Sequence, residues 1–207
     1  MARIGSTSLD VFPLCLGGNV FGWTSGESES FAVLDAYADA GGNFVDTADV
    51  YAAWVPGNSG GESETILGRW MASRGNRAKV VVATKVGKLA GFTGLSARTI
   101  RAAAEASLKR LGTDVIDLYY AHADDPATPL EETLGAFDAL VREGKVRAVA
   151  ASNYPAARLA EALEASRRLG LARYEALQPF YNLLHRAEYE AELAPLCLRE
   201  GLSCLPY

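Results

Sequence analysis

Residues 80–122, VVVATKVGKLAGFTGLSARTIRAAAEASLKRLGTDVIDLYYAH, contain one strand–helix–strand unit. The apolar runs at 80–85 and 115–122 are typical of buried strands, and the segment between them has the apolar spacing of an amphipathic helix. Ser96 is a good N-cap for that helix, and Gly112 is a good stop. Strands joined in this way form right-handed βαβ units, so the stretch predicts an α/β fold with a parallel sheet.

The same alternation runs along the whole chain. We expect an opening hairpin within residues 9–16 that leads into the first strand of the sheet at 13–18. The later strands are predicted at residues 43–46, 80–85, 115–122, 145–152, 174–179 and 202–207, and the helices at 30–40, 62–73, 97–111, 129–143, 155–169 and 187–200.

Two architectures fit this alternation, an open doubly wound sheet and a (β/α)8 TIM barrel. A dinucleotide-binding open sheet needs a Gly-x-Gly-x-x-Gly turn after its first strand, and GGNVFG at 17–22 does not match it. Seven alternating strands favour the barrel. Such barrels usually take about 250 residues, so we expect residues 1–207 to be a single barrel domain lacking its C-terminal part, with about six βα units plus strand seven. The open gap would favour self-association.

Bulk composition excludes several classes of protein. The hydrophobic fraction of 49% is that of a globular protein, and the net charge of −5 gives no basic surface for nucleic acid. No apolar run approaches the roughly 20 residues of a membrane helix, and residues 1–6 lack the apolar stretch typical of a signal peptide. Cys15, Cys197 and Cys204 lack metal-ligand spacing, so we expect reduced thiols, no metal site and a cytoplasmic location.

Four polar residues lie at or just after the ends of predicted strands. Asp46, Lys85 and His122 each end one, and Tyr51 lies in the loop after Asp46. Strand C-termini meet on one face of a parallel sheet or barrel, so these side chains should lie together. Each residue alone has an ordinary structural explanation, but four at successive positions on one face favour a site. A carboxylate, a phenol, an ammonium and an imidazole are suited to proton transfer.

This arrangement resembles the aldo-keto reductases, whose catalytic tetrad is Asp, Tyr, Lys and His in this order. The stretch NFVDTA at 43–48 and the ExxLG pattern at 64–68 also resemble a signature of that family. The resemblance implies an oxidoreductase that reduces a small-molecule aldehyde or ketone to an alcohol by hydride transfer from NADPH. The choice of NADP(H) over NAD(H) comes from the resemblance alone.

The resemblance also implies roles for the tetrad. Tyr51 would be the proton donor, and Lys85 would lower the pKa of its phenol. Asp46 would hold Lys85 in place and also belong to the cofactor-binding set, while His122 would orient and polarise the substrate carbonyl.

Further residues resemble the family's cofactor site. Ser152 and Asn153 at the end of strand five, with Gln178 at the end of strand six, resemble the residues that hold the nicotinamide carboxamide. Tyr207 falls where the family places a stacking aromatic ring. Alternatives stay open, because Ser152 could instead cap the following helix. Gly18 and Asn19 could lie along the nicotinamide ribose or form a simple turn.

Trp23 and Trp54 could form apolar walls of a substrate pocket together with His122, or they could pack loops onto the barrel. Two other functions compete with the reductase. One is a non-catalytic truncated barrel with impaired cofactor binding. The other is a cofactor-sensing regulatory subunit like the barrel subunits attached to potassium channels.

Overall fold

A curled sheet of seven parallel strands, in chain order across the sheet, dominates the computed structural model, which describes residues 1–207. The sheet strands are β3 (Leu16–Gly17), β4 (Phe44–Asp46), β5 (Val81–Val86), β6 (Ile116–Ala121), β7 (Val146–Ser152), β8 (Tyr174–Gln178) and β9 (Ser203–Cys204). A separate antiparallel hairpin pairs β1 (Ala2–Arg3) with β2 (Asp10–Val11). This is an incomplete (β/α)8 barrel, as the sequence predicts, with β3 and β9 at the two edges of the sheet.

Six helices follow successive strands of the sheet. They are α1 (Glu27–Asp39), α2 (Glu62–Arg74), α3 (Ala97–Leu111), α4 (Leu130–Arg142), α5 (Ala156–Leu169) and α6 (Ala194–Glu200). The predicted caps of α3 are confirmed: the Ser96 hydroxyl accepts from the Thr99 amide, and Gly112 takes the left-handed conformation. No helix combines the length and the apolar character needed to cross a membrane.

The opening hairpin lies earlier than the sequence predicts, and the first sheet strand is shorter. The turn between β1 and β2 passes through Gly5, whose φ of +49° favours glycine. A Cβ at this position would lie 2.4 Å from the Glu175 carboxylate, so the hairpin is fitted closely against β8. Pro13 has no N–H to donate, and regular pairing in the sheet begins only at Leu16.

Helices α1 and α6 also differ from their predictions. Helix α1 begins three residues earlier than expected, at Glu27, where the Glu29 carboxylate accepts a hydrogen bond from the Gly26 amide. The predicted helix 187–200 is helical over its whole length, but Tyr189–Leu193 form a π-helical turn that runs directly into α6. Pro195 lies in the first turn of α6 and cannot donate to the preceding turn, which explains the change of helical geometry.

Alternate residues of each strand face two separate cores. A large core lies between the sheet and the helices, and a small one lies inside the curl of the sheet. Ile4, Leu9 and Val11 of the hairpin belong to the inner core. The inner core also contains these strand residues: Phe44, Val81, Ala83, Leu118, Tyr120, Ala148, Ala150 and Ala176. Because side chains alternate between the two faces of a strand, the last residue of several strands also faces the inside of the curl.

A buried ion pair joins α2 to α3 outside the sheet. Glu64 has no exposed surface, and its carboxylate accepts from Arg110 Nε at 2.6 Å and from Thr84 Oγ1 at 2.5 Å. A Cβ at Gly68 would lie 2.6 Å from the Arg110 carbonyl oxygen, so the helices approach closely only because this residue is glycine. The ExxLG pattern thus has a packing role as well as a family resemblance.

Replacing Arg110 with Met should lower the free energy of unfolding by about 3–5 kcal/mol, because Glu64 would stay buried without its charge partner. Urea unfolding followed by tryptophan fluorescence measures the loss. Arg101→Met is the matched control, since Arg101 pairs with Glu143 at the surface and should contribute about 1 kcal/mol or less. Equal losses in the two variants would show that the buried pair does not hold Glu64.

Candidate active site

The inward-facing strand ends deliver one cluster of polar side chains. Asp46 is two residues after Phe44 and Lys85 is two after Ala83, so both continue the inner face of their strands. The same period brings Ser152 and Gln178 to the inner ends of β7 and β8. Strand pairing aligns these ends, with Ser152 directly opposite Gln178. The expectation that the strand ends meet is therefore met by the geometry.

Lys85 is the centre of this cluster. Its side chain has no exposed surface, and its Nζ donates to Asp46 Oδ2 at 2.5 Å, to the Thr47 carbonyl oxygen at 2.8 Å and to the Tyr51 hydroxyl at 2.8 Å. These are three acceptors for three ammonium protons. The Tyr120 ring lies 5.8 Å from Nζ and covers another side of the charge. The ammonium is fixed, and all its hydrogen bonds are made.

The Tyr51 phenol lies between two charges of opposite sign. Its hydroxyl accepts from Lys85 and also lies 3.3 Å from Asp46 Oδ2, to which it can donate. Burial raises the pKa of Tyr51 to about 12, and the Lys85 ammonium opposes that rise. The pKa of Tyr51 is therefore raised and not lowered as expected from the ammonium alone, because burial has the larger effect. Burial lowers the pKa of Lys85, but Asp46 and Tyr51 outweigh burial, and the net direction is upward.

His122 follows β6 and lines the cavity inside the curled sheet that also contains the Tyr51 side chain. It is 8% exposed, and its ring centroid lies 6.1 Å from that of Tyr51. Burial lowers the pKa of His122 to about 2, and the ammonium groups of Lys85 and Lys88 act in the same direction. The imidazole is therefore neutral at physiological pH. Its Nδ1 is buried without a hydrogen-bond partner.

The four residues expected to hold a nicotinamide form a hydrogen-bonded chain. Gln178 Nε2 donates to Asp46 Oδ1 at 3.1 Å, and the Ser152 hydroxyl donates to the Gln178 carbonyl oxygen at 2.9 Å. Asn153 Nδ2 donates to the Ser152 hydroxyl, and the Tyr207 hydroxyl donates to Asn153 Oδ1 at 2.7 Å. Ser152 makes no cap for α5, which begins after Pro155 without a side-chain cap. That alternative is excluded.

A cavity of about 720 Å³ runs along the inside of the curled sheet and opens at these strand ends. The predicted site residues that line it are Asn19, Asp46, Tyr51, Trp54, His122, Ser152, Asn153, Gln178 and Tyr207. Gly18 lies behind them, where a Cβ would be 2.9 Å from Ser63 Oγ. Trp23 packs edge-on against Trp54, with 5.6 Å between ring centroids, and supports it from outside the cavity lining.

Sequence reasoning missed the residues that brace the site. The Ser63 hydroxyl donates to the Gly18 carbonyl oxygen and accepts from Thr47 Oγ1, both at 2.7 Å, so α2 ties the ends of β3 and β4 together. Lys88, three residues beyond Lys85, lines the cavity and was also missed. Its place directly after a strand end was the available signal.

The burial of His122 should make folding stability depend on pH. In the unfolded chain a histidine takes up its proton near pH 6.5, but folded His122 does so only near pH 2, so acid favours the unfolded state. Between pH 7 and pH 5 the free energy of unfolding should fall by about 2 kcal/mol more for the native protein than for His122→Gln. Urea unfolding at both pH values measures this. His185→Gln, at the exposed histidine, is the control, and parallel losses in the native protein and His122→Gln would refute the prediction.

Comparison with known proteins agrees with this geometry. The model of the Aldo/keto reductase family matches residues 13–207. The chain is 39% identical to norsolorinic acid reductase stcV of Emericella nidulans over 95% of this chain and 53% of that protein. It is 34% identical to aryl-alcohol dehydrogenase GME11368 of Pestalotiopsis microspora, over 98% of this chain and 54% of that protein.

A bacterial relative, the uncharacterized oxidoreductase YrpG of Bacillus subtilis, is 39% identical over 99% of this chain and 64% of its own length. The chain spans about half the length of most of the curated relatives it matches. The family match covers all seven strands of the sheet and every helix, including the strand ends that carry Asp46, Lys85, Ser152 and Gln178. The chain therefore belongs to the aldo/keto reductase family.

Proposed function

We propose that this protein reduces an aldehyde or ketone to an alcohol by hydride transfer from NADPH, with Tyr51 as the proton donor. The observation that carries the proposal is the set of contacts around Lys85. They place a buried ammonium 2.8 Å from the hydroxyl of Tyr51, which lines the cavity together with His122. Membership of an oxidoreductase family supports the class of reaction.

The residues at the end of β7 and β8 fit a nicotinamide. The carboxamide of that group both donates and accepts hydrogen bonds, and the Asn153 and Gln178 amides with the Ser152 hydroxyl offer both on one side of the cavity. The Tyr207 ring is 54% exposed beside them and presents a flat face for stacking. Bound there, the nicotinamide would supply the hydride. The preference for NADPH over NADH rests on family resemblance alone.

The protein's own part is to hold and move a proton. With a pKa raised to about 12, the Tyr51 phenol keeps its proton at neutral pH and can give it to the more basic alkoxide oxygen as that oxygen forms. The resulting phenolate would be stabilised by Lys85, which already donates to the same oxygen. Asp46 balances the ammonium charge and keeps it in place.

His122 would orient the carbonyl. A neutral imidazole can donate one hydrogen bond to a carbonyl oxygen without competing with Tyr51 as an acid. The substrate would be a small aryl carbonyl compound, since Tyr51, Trp54 and His122 provide an aromatic lining and one relative is named an aryl-alcohol dehydrogenase. The three free thiols support a reducing compartment such as the cytoplasm.

Tyr51→Phe should lower kcat for carbonyl reduction by roughly 10²–10⁴-fold, because a positioned general acid is lost. The rate is followed as the fall in absorbance of NADPH, or of NADH in parallel, with a benzaldehyde as substrate. Tyr119→Phe is the matched control, since that buried hydroxyl has no hydrogen-bond partner and faces the helices. A Tyr51→Phe rate within tenfold of the native rate would remove Tyr51 as the donor.

A further inference from the structure

Lys88 lies on a well-fixed loop at the rim of the cavity. The Gly94 amide donates to the Gly87 carbonyl oxygen at 3.0 Å and closes the loop that follows β5. The next residue, Leu89, is 6% exposed, and a Cβ at Gly60 would lie 2.5 Å from its side chain. The backbone on both sides of Lys88 is therefore anchored, while its own side chain is exposed and lines the cavity.

Within residues 1–207, the Lys88 ammonium pairs with no carboxylate. Three side chains that are charged at neutral pH line the cavity: Arg3, Asp46 and Lys88. Arg3 pairs with Asp10 in the hairpin, and Asp46 pairs with Lys85. Lys88 forms neither a salt bridge nor a side-chain hydrogen bond, and its pKa is lowered by partial burial and by the Lys85 charge without an opposing carboxylate. An ammonium in this position favours an anion.

The aromatic side chains near Lys88 indicate that the anion it binds is aromatic. Trp54, Tyr51 and His122 line the same cavity, and the Tyr51 and Trp54 ring centroids are 6.3 Å apart. The charge of Lys88 acts on His122, since it contributes to lowering the pKa of that imidazole. A molecule that reaches the Tyr51 hydroxyl thus passes aromatic rings and comes within the field of one uncompensated cation.

We propose that Lys88 is a specificity-determining residue that selects aryl aldehydes and ketones carrying a negatively charged substituent such as a carboxylate. This inference rests on the proposed reductase function and adds its substrate class. Lys88 touches no residue of the Lys85, Asp46 and Tyr51 cluster through a hydrogen bond, so its removal leaves that machinery intact.

Two substrates of nearly equal shape test the proposal: 4-carboxybenzaldehyde, which is anionic at pH 7, and its neutral methyl ester. The native protein should show a kcat/KM about fivefold higher for the acid than for the ester, the size expected for one exposed charge pair. Lys88→Met should bring that ratio to about one by raising KM for the acid more than KM for the ester. Lys79→Met, at the opposite end of β5, is the control and should keep the native ratio.

Equal acid-to-ester ratios in the native protein and Lys88→Met would overturn the proposal. Added KCl should reduce the native ratio, because salt screens the interaction. If neither aldehyde is reduced, the proposed reductase function is wrong. The role of Lys88 is then tested by the affinity of the protein for 4-carboxybenzaldehyde. Quenching of tryptophan fluorescence by 4-carboxybenzaldehyde should show affinity lowered about fivefold in Lys88→Met alone. Unchanged affinity would reject the anion site.

Discussion

The structure of the site depends on one buried ammonium. An isolated charge taken out of water is strongly unfavourable, and Lys85 is tolerated because a carboxylate, a carbonyl oxygen and a phenol hydroxyl take its three protons. The three acceptors come from the end of β4 and the loop after it, and the donor comes from β5. Pairing of these two strands therefore fixes the position of the Lys85 ammonium, and the electrostatic requirement of Lys85 fixes the loop that carries Tyr51.

Much of the fold follows from periodicity in the sequence. Alternating apolar strands and capped amphipathic helices predict the order of elements, and the ends of β6, β7 and β8 lie within one residue of the expected positions. The sixth helix lies at the predicted residues 187–200, but its π-helical turn was not predicted, and the first hairpin could not be located in this way. The hairpin depends on the fit of Gly5 and Ser6 against Glu175 of β8, and Ser6 and Glu175 are 169 residues apart in the sequence. Pro195 changes the hydrogen bonding of the sixth helix without altering the spacing of its apolar residues.

For the candidate site, the sequence predicts which residues lie together but not their electrostatic properties. The identities of Asp46, Tyr51, Lys85 and His122 follow from strand ends and family resemblance, and the structure brings all four together. The pKa of Tyr51 did not follow, because it is set by burial that only the folded chain reveals. Lys88 was also missed, since a lysine beyond a strand end looks like any surface lysine until the cavity that it lines is known.

Two adjacent residues of β5 face opposite sides of the sheet, and each belongs to a different buried network of charged side chains. Thr84 faces outward and donates to Glu64, while Lys85 faces inward to Asp46. Inserting or deleting one residue within this strand would exchange the two faces and break both buried networks at once. A change of length in the loop 87–96 would leave the two faces of β5 as they are. The strand that carries Lys85 is therefore confined to a single register, whereas the loop that carries Lys88 can change in length without reversing the faces of that strand.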